Sequence, residues 1–274
     1  MKTTGEPIAV DTSPAPDLRG RHVLVTGASR GIGAAVAKEL ALAGACVSLV
    51  SRQHEHVEAA RRSLDHMERH AAIAADVTDE RAVEAAIAEA VARLGPVFAL
   101  VNNAGGADAM PFLESDASHW RRLIDVNLMS AVFCTHAVLR SMLERREGRI
   151  VNMASTASLR GYRHVSAYTA GKHALLGFTR ALAIEVEKEG IAVNAVCPGY
   201  VNTERIAESL AGAAARTGLS VDDVRARFAA SNAGGRLVEP QEVAAVVAWL
   251  CGAPTASVTG RYIIVDGRPL EARA

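Results

Sequence analysis

Residues 26–33 read TGASRGIG, directly after the apolar run HVLVT at 22–26. Gly27, Gly31 and Gly33 therefore stand between a strand-length run and an alanine-rich, helix-forming segment at 31–43. Glycine allows positive φ and lets the backbone approach a phosphate closely. The first turn of the following helix adds free N–H groups and the positive end of its dipole. A strand, a glycine loop and a helix in this order predict a cradle for a dinucleotide pyrophosphate. The spacing is GxxxGxG rather than GxGxxG, and no Lys-Ser/Thr pair follows the last glycine as a Walker loop requires.

Outward from this loop, short apolar runs alternate with helix-forming segments. CVSLVS (46–51), AAIAAD (71–76), VFALVN (97–102), RIVNMAS (149–155), IAVNAVC (191–197) and YIIVD (262–266) read as further strands. Helices are expected over 54–69, 79–93, 116–143, 166–188 and about 240–251; within 79–93, Val83, Ile87 and Val91 fall four apart on one face. Strands apolar on both faces and alternating with helices imply a parallel sheet covered on both sides, doubly wound by right-handed crossovers. The expected fold class is α/β, a Rossmann-like sheet of about seven parallel strands in one domain. Residues 1–18, with Pro7, Pro14 and Pro16 among small and polar residues, read as a flexible extension; 19–274 form the single dinucleotide-binding and catalytic domain.

Composition sets the outer bounds. The 274 residues are half hydrophobic and carry no net charge, which predicts neither nucleic acid nor an anionic membrane as partner. No signal segment is apparent, and the apolar runs read as too short to span a bilayer. Cys46, Cys134, Cys197 and Cys251 are isolated in apolar stretches, so they read as small buried hydrophobes in a reducing, cytoplasmic setting. No metal is expected: the cysteines form no CxxC pair and the nine histidines show no ligand spacing.

The end of the second strand bears on cofactor choice. An acid there would bind a ribose 2′-hydroxyl and repel a 2′-phosphate. Ser51 stands in that place, followed by Arg52, with Arg30 in the glycine loop. Two guanidiniums that fork onto a 2′-phosphate favour NADP(H), with NAD(H) as the alternative.

YTAGK at 168–172 sets Tyr168 and Lys172 four apart, on one helical face, with Ser155 thirteen residues before the tyrosine. The chain resembles the short-chain dehydrogenase/reductase family, as a 3-oxoacyl reductase-like member, from about residue 20 to 267. The resemblance is carried by TGASRGIG, NNAG (102–105), Asn127, Ser155, YTAGK, CPGYVNT (197–203) and VTGRYIIVDG (258–267). It departs at Ser51, at Gly106 following Gly105, at Arg268-Pro269 following Gly267, and at Ala154 before Ser155.

The resemblance implies hydride exchange between a nicotinamide and a ketone or secondary alcohol, in a homotetramer. It implies Tyr168 as general acid/base, Lys172 beside it and on the ribose hydroxyls, Ser155 on the substrate oxygen, and Asn127 on a proton-relay water. Gly27, Ser29, Arg30, Gly31, Ile32, Gly33, Ser51 and Arg52 would hold the cofactor's phosphate and adenosine half. Asp76 and Val77 would flank the adenine, with Asn103, Ala104 and Gly105 on the ribose side. Pro198, Gly199, Val201 and Thr203 would follow, Thr203 at the carboxamide. A phenol has its pKa near 10, and a cation one turn away, together with the charge of an oxidised nicotinamide ring, is expected to lower it by favouring the phenolate. Thr156 and Ser158 are alternatives to Ser155, but only Ser155 has the thirteen-residue separation.

Residues 200–237 are expected to close over the substrate and to choose it. Arg205, Arg216, Arg225, Arg227 and Arg236 there, with Arg160, Arg163 and His164 before the tyrosine, suggest a basic rim for an anionic carrier such as coenzyme A or an acyl carrier protein, or for a carboxylate. The first functional reading is an NADPH-dependent reductase of a 3-oxoacyl thioester or related ketone. The alternatives are an NAD-dependent hydroxyacyl or secondary-alcohol dehydrogenase and a catalytically silent dinucleotide-binding regulator.

Overall fold

The run 22–26 is buried along its whole length and forms the middle of a sheet. The computed structural model describes residues 8–9, 16–252 and 258–273. In chain order its strands are β1 (Ile8–Ala9), β2 (His22–Thr26), β3 (Cys46–Ser51), β4 (Ala71–Ala74), β5 (Ala99–Asn102), β6 (Gly148–Met153), β7 (Ile191–Pro198), β8 (Tyr262–Val265) and β9 (Glu271–Arg273). The helices are α1 (Gly31–Leu42), α2 (His54–Arg62), α3 (Glu80–Leu94), α4 (Ala117–Ile124), α5 (Ser130–Arg145), α6 (Ser166–Val186), α7 (Glu204–Thr217), α8 (Val221–Ser231) and α9 (Pro240–Gly252).

The spatial order is β1-β9-β8-β7-β6-β5-β2-β3-β4. The seven expected strands, β2 to β8, are mutually parallel, and β9 and β1 add an antiparallel edge. From β2 the chain winds outward to β4, then returns to β5 on the other side of β2. This reversal opens a crevice beyond the strand ends where ligands of such sheets bind.

Alternation along β2 shows how the two faces are built. Val23 and Val25 enter one apolar cluster with Leu40 of α1, Val57 of α2 and Val247 of α9. Leu24 points the other way, to a cluster with Val83 and Ile87 of α3, Met142 of α5 and Leu182 of α6. A strand with both faces buried needs no polar residue at its centre, which is why Val23, Leu24 and Val25 run apolar without alternation. α3 is bounded by Asp79, which accepts from the Arg81 and Ala82 N–H groups, and by Gly95 at φ +79°.

Two expected helices are interrupted. The 54–69 helix stops at Arg62; His66 adopts φ +54° and a short 3₁₀ turn covers 67–69. The turn delivers His70, whose Nδ1 accepts from the Val47 N–H at 3.1 Å, into β4's register beside β3. The 116–143 helix is α4 and α5 joined by a π-helical turn over 125–129. By length and composition Ala117–Arg145 also passes as a membrane span, contrary to the sequence expectation, with mean hydropathy 1.3. In the fold its second half covers the sheet through Cys134, Val138 and Met142.

The expected extension, residues 1–18, lies mostly outside the described residues. Ile8–Ala9 pair with Glu271–Ala272, and Leu18 is buried with its N–H on the Ala43 carbonyl.

Candidate active site

At the switch point β2 ends in Thr26, which ties the two central loops together. Its Oγ1 accepts from the N–H groups of Asn103 and Ala104, each at 3.0 Å. Asn103 Nδ2 returns the contact, donating to the carbonyls of Thr26 (2.9 Å) and Gly27 (3.1 Å). Torsion requires glycine at 27 and 31, and space requires it at 33. Gly27 and Gly31 sit at φ +64° and +58°. A β-carbon on residue 33 would strike the Gly27 carbonyl oxygen. Residue 31 faces Thr203, whose Cγ2 lies 3.5 Å from a β-carbon placed there. No side chain caps α1 and no acid stands in its first turn, so its N–H groups and dipole face the loop unopposed. A cradle that side chains would fill, under an open helix N-terminus, fits a dinucleotide pyrophosphate. Ser29 and Ile32 are half-buried beside it.

At the adenosine end, Ser51 is half-buried with its hydroxyl toward the Gln53 carbonyl at 3.4 Å. Arg52 is exposed, without an ion pair among the described residues. Arg30, also exposed, reaches Glu208 of α7 at 3.4 Å. That contact is too long and too wet to hold the guanidinium. Asp76 turns inward on its own loop, accepting from Thr78 N–H and Oγ1 at 3.0 and 2.8 Å, while Val77 is buried.

The catalytic candidates converge at the ends of β6 and α6. Ser155 is extended just past β6, and its Oγ accepts from the Ala157 N–H at 3.1 Å. Tyr168, in the first turn of α6, lies close enough to Ser155 for that hydroxyl to act on its phenol. Lys172, one turn on and buried, places Nζ 5.8 Å from the Tyr168 ring centre and donates to the Met153 carbonyl at 2.6 Å. Thr156 bonds Tyr162 at 2.8 Å, and Ser158 is buried; of the three hydroxyls, Ser155 is the one that meets Tyr168.

The protonation directions differ from expectation. Burial pushes the Tyr168 phenol up, outweighing the Ser155 hydroxyl and the positive charge of Arg205. Burial likewise pulls Lys172 down to about 8. The ammonium is directed at a backbone carbonyl, and desolvation disfavours the charged form of each group. The neighbouring Cys197 thiol is pushed up to about 12 by burial, so it is neutral.

Asn127 lies in the π-helical turn and is 1% exposed. Its Oδ1 accepts from Gly106 N–H at 3.1 Å; its Nδ2 donates to the carbonyls of Gly106 and Leu123, both at 2.9 Å. The extra residue of the turn frees the Leu123 carbonyl for this side chain. A β-carbon on Gly105 would come within 2.8 Å of Asn127 Oδ1 and 3.2 Å of Lys172 Nζ, so glycine keeps the space between them clear.

Sequence reasoning missed a third asparagine. Asn232, buried after α8, accepts from Tyr200 N–H at 2.8 Å and donates to the carbonyls of Tyr200 (2.9 Å) and Arg236 (2.7 Å). It staples the Pro198–Val201 loop to the far end of the α7–α8 segment. A β-carbon on Gly199 would collide with it. Its only signal was an Asn beside the glycine pair of NAGG (232–235). Tyr162, Tyr200 and Phe228 also went unread. They form an edge-to-face and a tilted contact at 6.1 and 4.6 Å, in a chain only 4% aromatic.

The expected basic rim is mostly engaged elsewhere. Arg160 donates to the Tyr162 hydroxyl and the Ser231 carbonyl, Arg236 pairs with Glu242, and Arg225 donates to Asn202. Arg163 and His164 are exposed, as are Arg216 and Arg227. Only Arg205 reaches the catalytic loop, lying against Gly106.

A nucleotide cradle at the switch point and a Ser-Tyr-Lys cluster at its mouth define a nicotinamide-dependent oxidoreductase that acts between CH–OH and C=O. The chain belongs to the short-chain dehydrogenase family, whose model matches residues 21–213. It is 39% identical over 251 residues to a putative ketoacyl reductase of Streptomyces coelicolor, covering 89% of this chain and 95% of that protein. With the 3-oxoacyl-[acyl-carrier-protein] reductase of Vibrio cholerae serotype O1 it shares 34% identity, over 92% of this chain and 98% of the other. Its fold superposes on a point variant of the actinorhodin polyketide ketoreductase solved with NADPH, with TM-score 0.86 and 37% identity, covering 90% and 96% of the two chains.

Proposed function

We propose that the protein is an NADPH-dependent reductase of a 3-oxoacyl thioester or a closely related ketone. The observation that carries this reading is the convergence of Ser155, Tyr168 and Lys172 at the mouth of the glycine cradle, with buried Lys172 placing Nζ 5.8 Å from the Tyr168 ring centre. A nicotinamide, when bound, would supply the hydride for the substrate carbon. Tyr168 gives its phenolic proton to the substrate oxygen. A phenol held above its usual pKa stays protonated through neutral pH, as an acid must. Ser155 donates to the same oxygen and stabilises its developing negative charge. Lys172 favours the phenolate left behind and is placed to hold the ribose hydroxyls. Asn127 fixes the Gly105–Gly106 loop against the lysine; the relay water assigned to it by resemblance would sit in the space that Gly105 keeps clear.

Gly27, Ser29, Gly31, Ile32 and Gly33 hold the pyrophosphate, and Arg30 reaches for the ribose 2′-phosphate. Asp76, Val77, Asn103, Ala104 and Gly105 line the nucleoside side; Pro198, Gly199, Val201 and Thr203 close the nicotinamide end. Ser51 in place of an acid, with Arg52 and Arg30 nearby, supports NADPH over NADH, as does the NADPH named with the similar polyketide ketoreductase. The reductase of Vibrio cholerae, named for acyl carrier protein, supports a carrier-borne substrate. Residues 19–274 act as one catalytic unit in which 200–237 is the substrate lid. Free Cys46, Cys134, Cys197 and Cys251 suit the cytoplasm, and exposed Leu143 and Ile184 on α5 and α6 suit pairing of those helices in a homotetramer.

The test is reduction of acetoacetyl thioesters and simple ketones, and oxidation of the matching alcohols, with each nicotinamide. NADPH oxidation by acetoacetyl-CoA is expected, at kcat/KM at least tenfold above that with NADH. No turnover of any carbonyl or alcohol with either cofactor would sink the reading.

A further inference from the structure

Arg205 stands in the first turn of α7, two residues past the Thr203 cap. Although exposed, its guanidinium crosses to the loop after β5 and lies against the Gly106 backbone, with Cζ 3.1 Å from where a β-carbon on residue 106 would stand. That β-carbon would collide with Arg205 Nη1, so glycine at 106 makes room for the arginine. The departure from the family pattern at Gly106 and the cation on α7 are thus one feature. The Gly106 peptide is held on its other side by Asn127, and Gly105 abuts the Lys172 ammonium. Arg205 is also close enough for its charge to act on the Tyr168 phenol.

No carboxylate or other acceptor engages this guanidinium among the described residues, whereas Arg160, Arg225, Arg236 and Arg268 all have partners. Two cations, Arg205 and Lys172, flank a two-glycine loop with no acid between them. Like charges so placed repel, and an acceptor oxygen in the cleft relieves that repulsion while gaining charge-assisted hydrogen bonds. A guanidinium presents its donors as a planar fork, suited to a carbonyl or carboxylate oxygen.

We propose that Arg205, in the space opened by Gly106, binds a second oxygen of the substrate, carried near the reacting ketone, such as the C1 oxygen of a 3-oxoacyl group. This rests on the reductase reading above and makes Arg205 a specificity residue of that site. The oxygen comes from a thioester carbonyl or from a free carboxylate, and both present the same acceptor.

The experiment compares wild type with Arg205→Met, Arg205→Lys and Gly106→Ala. Three ketones are used with NADPH: the N-acetylcysteamine thioester of acetoacetate, acetoacetate itself, and pentan-2-one, which lacks the second oxygen. The kcat/KM ratio of thioester or acid to pentan-2-one is expected to fall at least tenfold in R205M, about 1.4 kcal/mol, through KM. Gly106→Ala should produce the same loss by displacing the arginine, and Arg205→Lys should recover part of it. The ketone with the larger fall identifies the source of the oxygen.

A ratio unchanged in R205M overturns the proposal. So does a tenfold loss of NADPH affinity with the ratio intact, which would assign Arg205 to the cofactor. Calorimetric binding of the 3-hydroxybutyryl thioester to the NADP⁺ complex is read in parallel. If wild type reduces none of the ketones the reductase reading falls, and the same tenfold criterion on binding still decides Arg205.

Discussion

The catalytic floor and the segment above it are built on opposite terms. α6 buries nine of its residues, Lys172 among them, and its Tyr168 meets a serine fixed at a strand end. α7 and α8 bury one side chain each, Leu210 and Val224, and meet the rest of the protein largely through exposed polar contacts. Chemistry needs atoms held to fractions of an ångström, and burial supplies that rigidity. Substrate choice needs a surface that opens and changes, and low burial permits it. Asn232 is the joint between the two, since its amide holds the Pro198–Val201 loop on one side and Arg236 on the other.

The sharpest way to break this contrast is Tyr168→Phe. Turnover should fall by about 10³ or more, as expected when a positioned proton donor is lost, with NADPH affinity nearly unchanged. Stopped-flow turnover and fluorescence titration check both halves. Normal turnover would mean that the floor does not do the proton transfer.

Next in size is the double change Arg30→Ala/Arg52→Ala at the edge of the cradle. It should raise the NADPH KM by about tenfold to a hundredfold and leave the NADH KM within about threefold, since charge-assisted bonds to a phosphate are worth about 1.5–3 kcal/mol. Steady-state kinetics with each cofactor decides it. Equal effects on both would remove the basis for cofactor preference.

Lys172→Met sets activity against stability. Lysine falls from its usual 10.5 to about 8 in the fold, so the unfolded chain binds more protons between those values. The cost of burying the charge is fully present below pH 8 and is relieved as pH rises toward 10.5. It amounts to about 3 kcal/mol at most, offset in the variant by the orphaned Met153 carbonyl, about 1–2 kcal/mol. Urea unfolding should show wild type gaining stability from pH 8 to 10.5 and Lys172→Met flat, about 1–2 kcal/mol more stable at pH 7 and catalytically crippled. A wild-type profile flat over that range would show that Lys172 is not perturbed.

Asn232→Ala removes the joint. Three hydrogen bonds are lost, at a cost of about 1–3 kcal/mol in unfolding experiments, and ketone KM should rise more than NADPH KM. The smallest effect belongs on the segment's surface. Glu208→Ala breaks a 3.4 Å contact between exposed groups and should shift stability by less than about 0.5 kcal/mol.

Legibility followed the same division. Tyr168 and Lys172 could be paired by counting, because i and i+4 share a helix face wherever the helix lies. Gly27, Gly31 and Gly33 could be read because their torsions and close approaches leave a local mark. Asn232 could not: the Tyr200 backbone it holds is 32 residues away. The π-helical turn was hidden inside a good helical pattern, since the buried Asn127 amide, not helix propensity, makes room for it. Arg160 and Arg205 looked alike in sequence; one bonds Tyr162 and Ser231, the other faces Gly106.

By itself, the sequence determined the seven parallel strands and the glycine cradle, and marked Ser155, Tyr168 and Lys172 as candidates. The first two are written in periodicities and spacings local to one strand, helix or turn, the third in intervals of thirteen and four residues. The tertiary structure alone decided which arginine meets the site, how Asn127 and Asn232 hold their loops, and that Tyr168 titrates upward rather than downward. Those outcomes depend on desolvation and on partners far apart in the chain, and neither exists until the chain has folded.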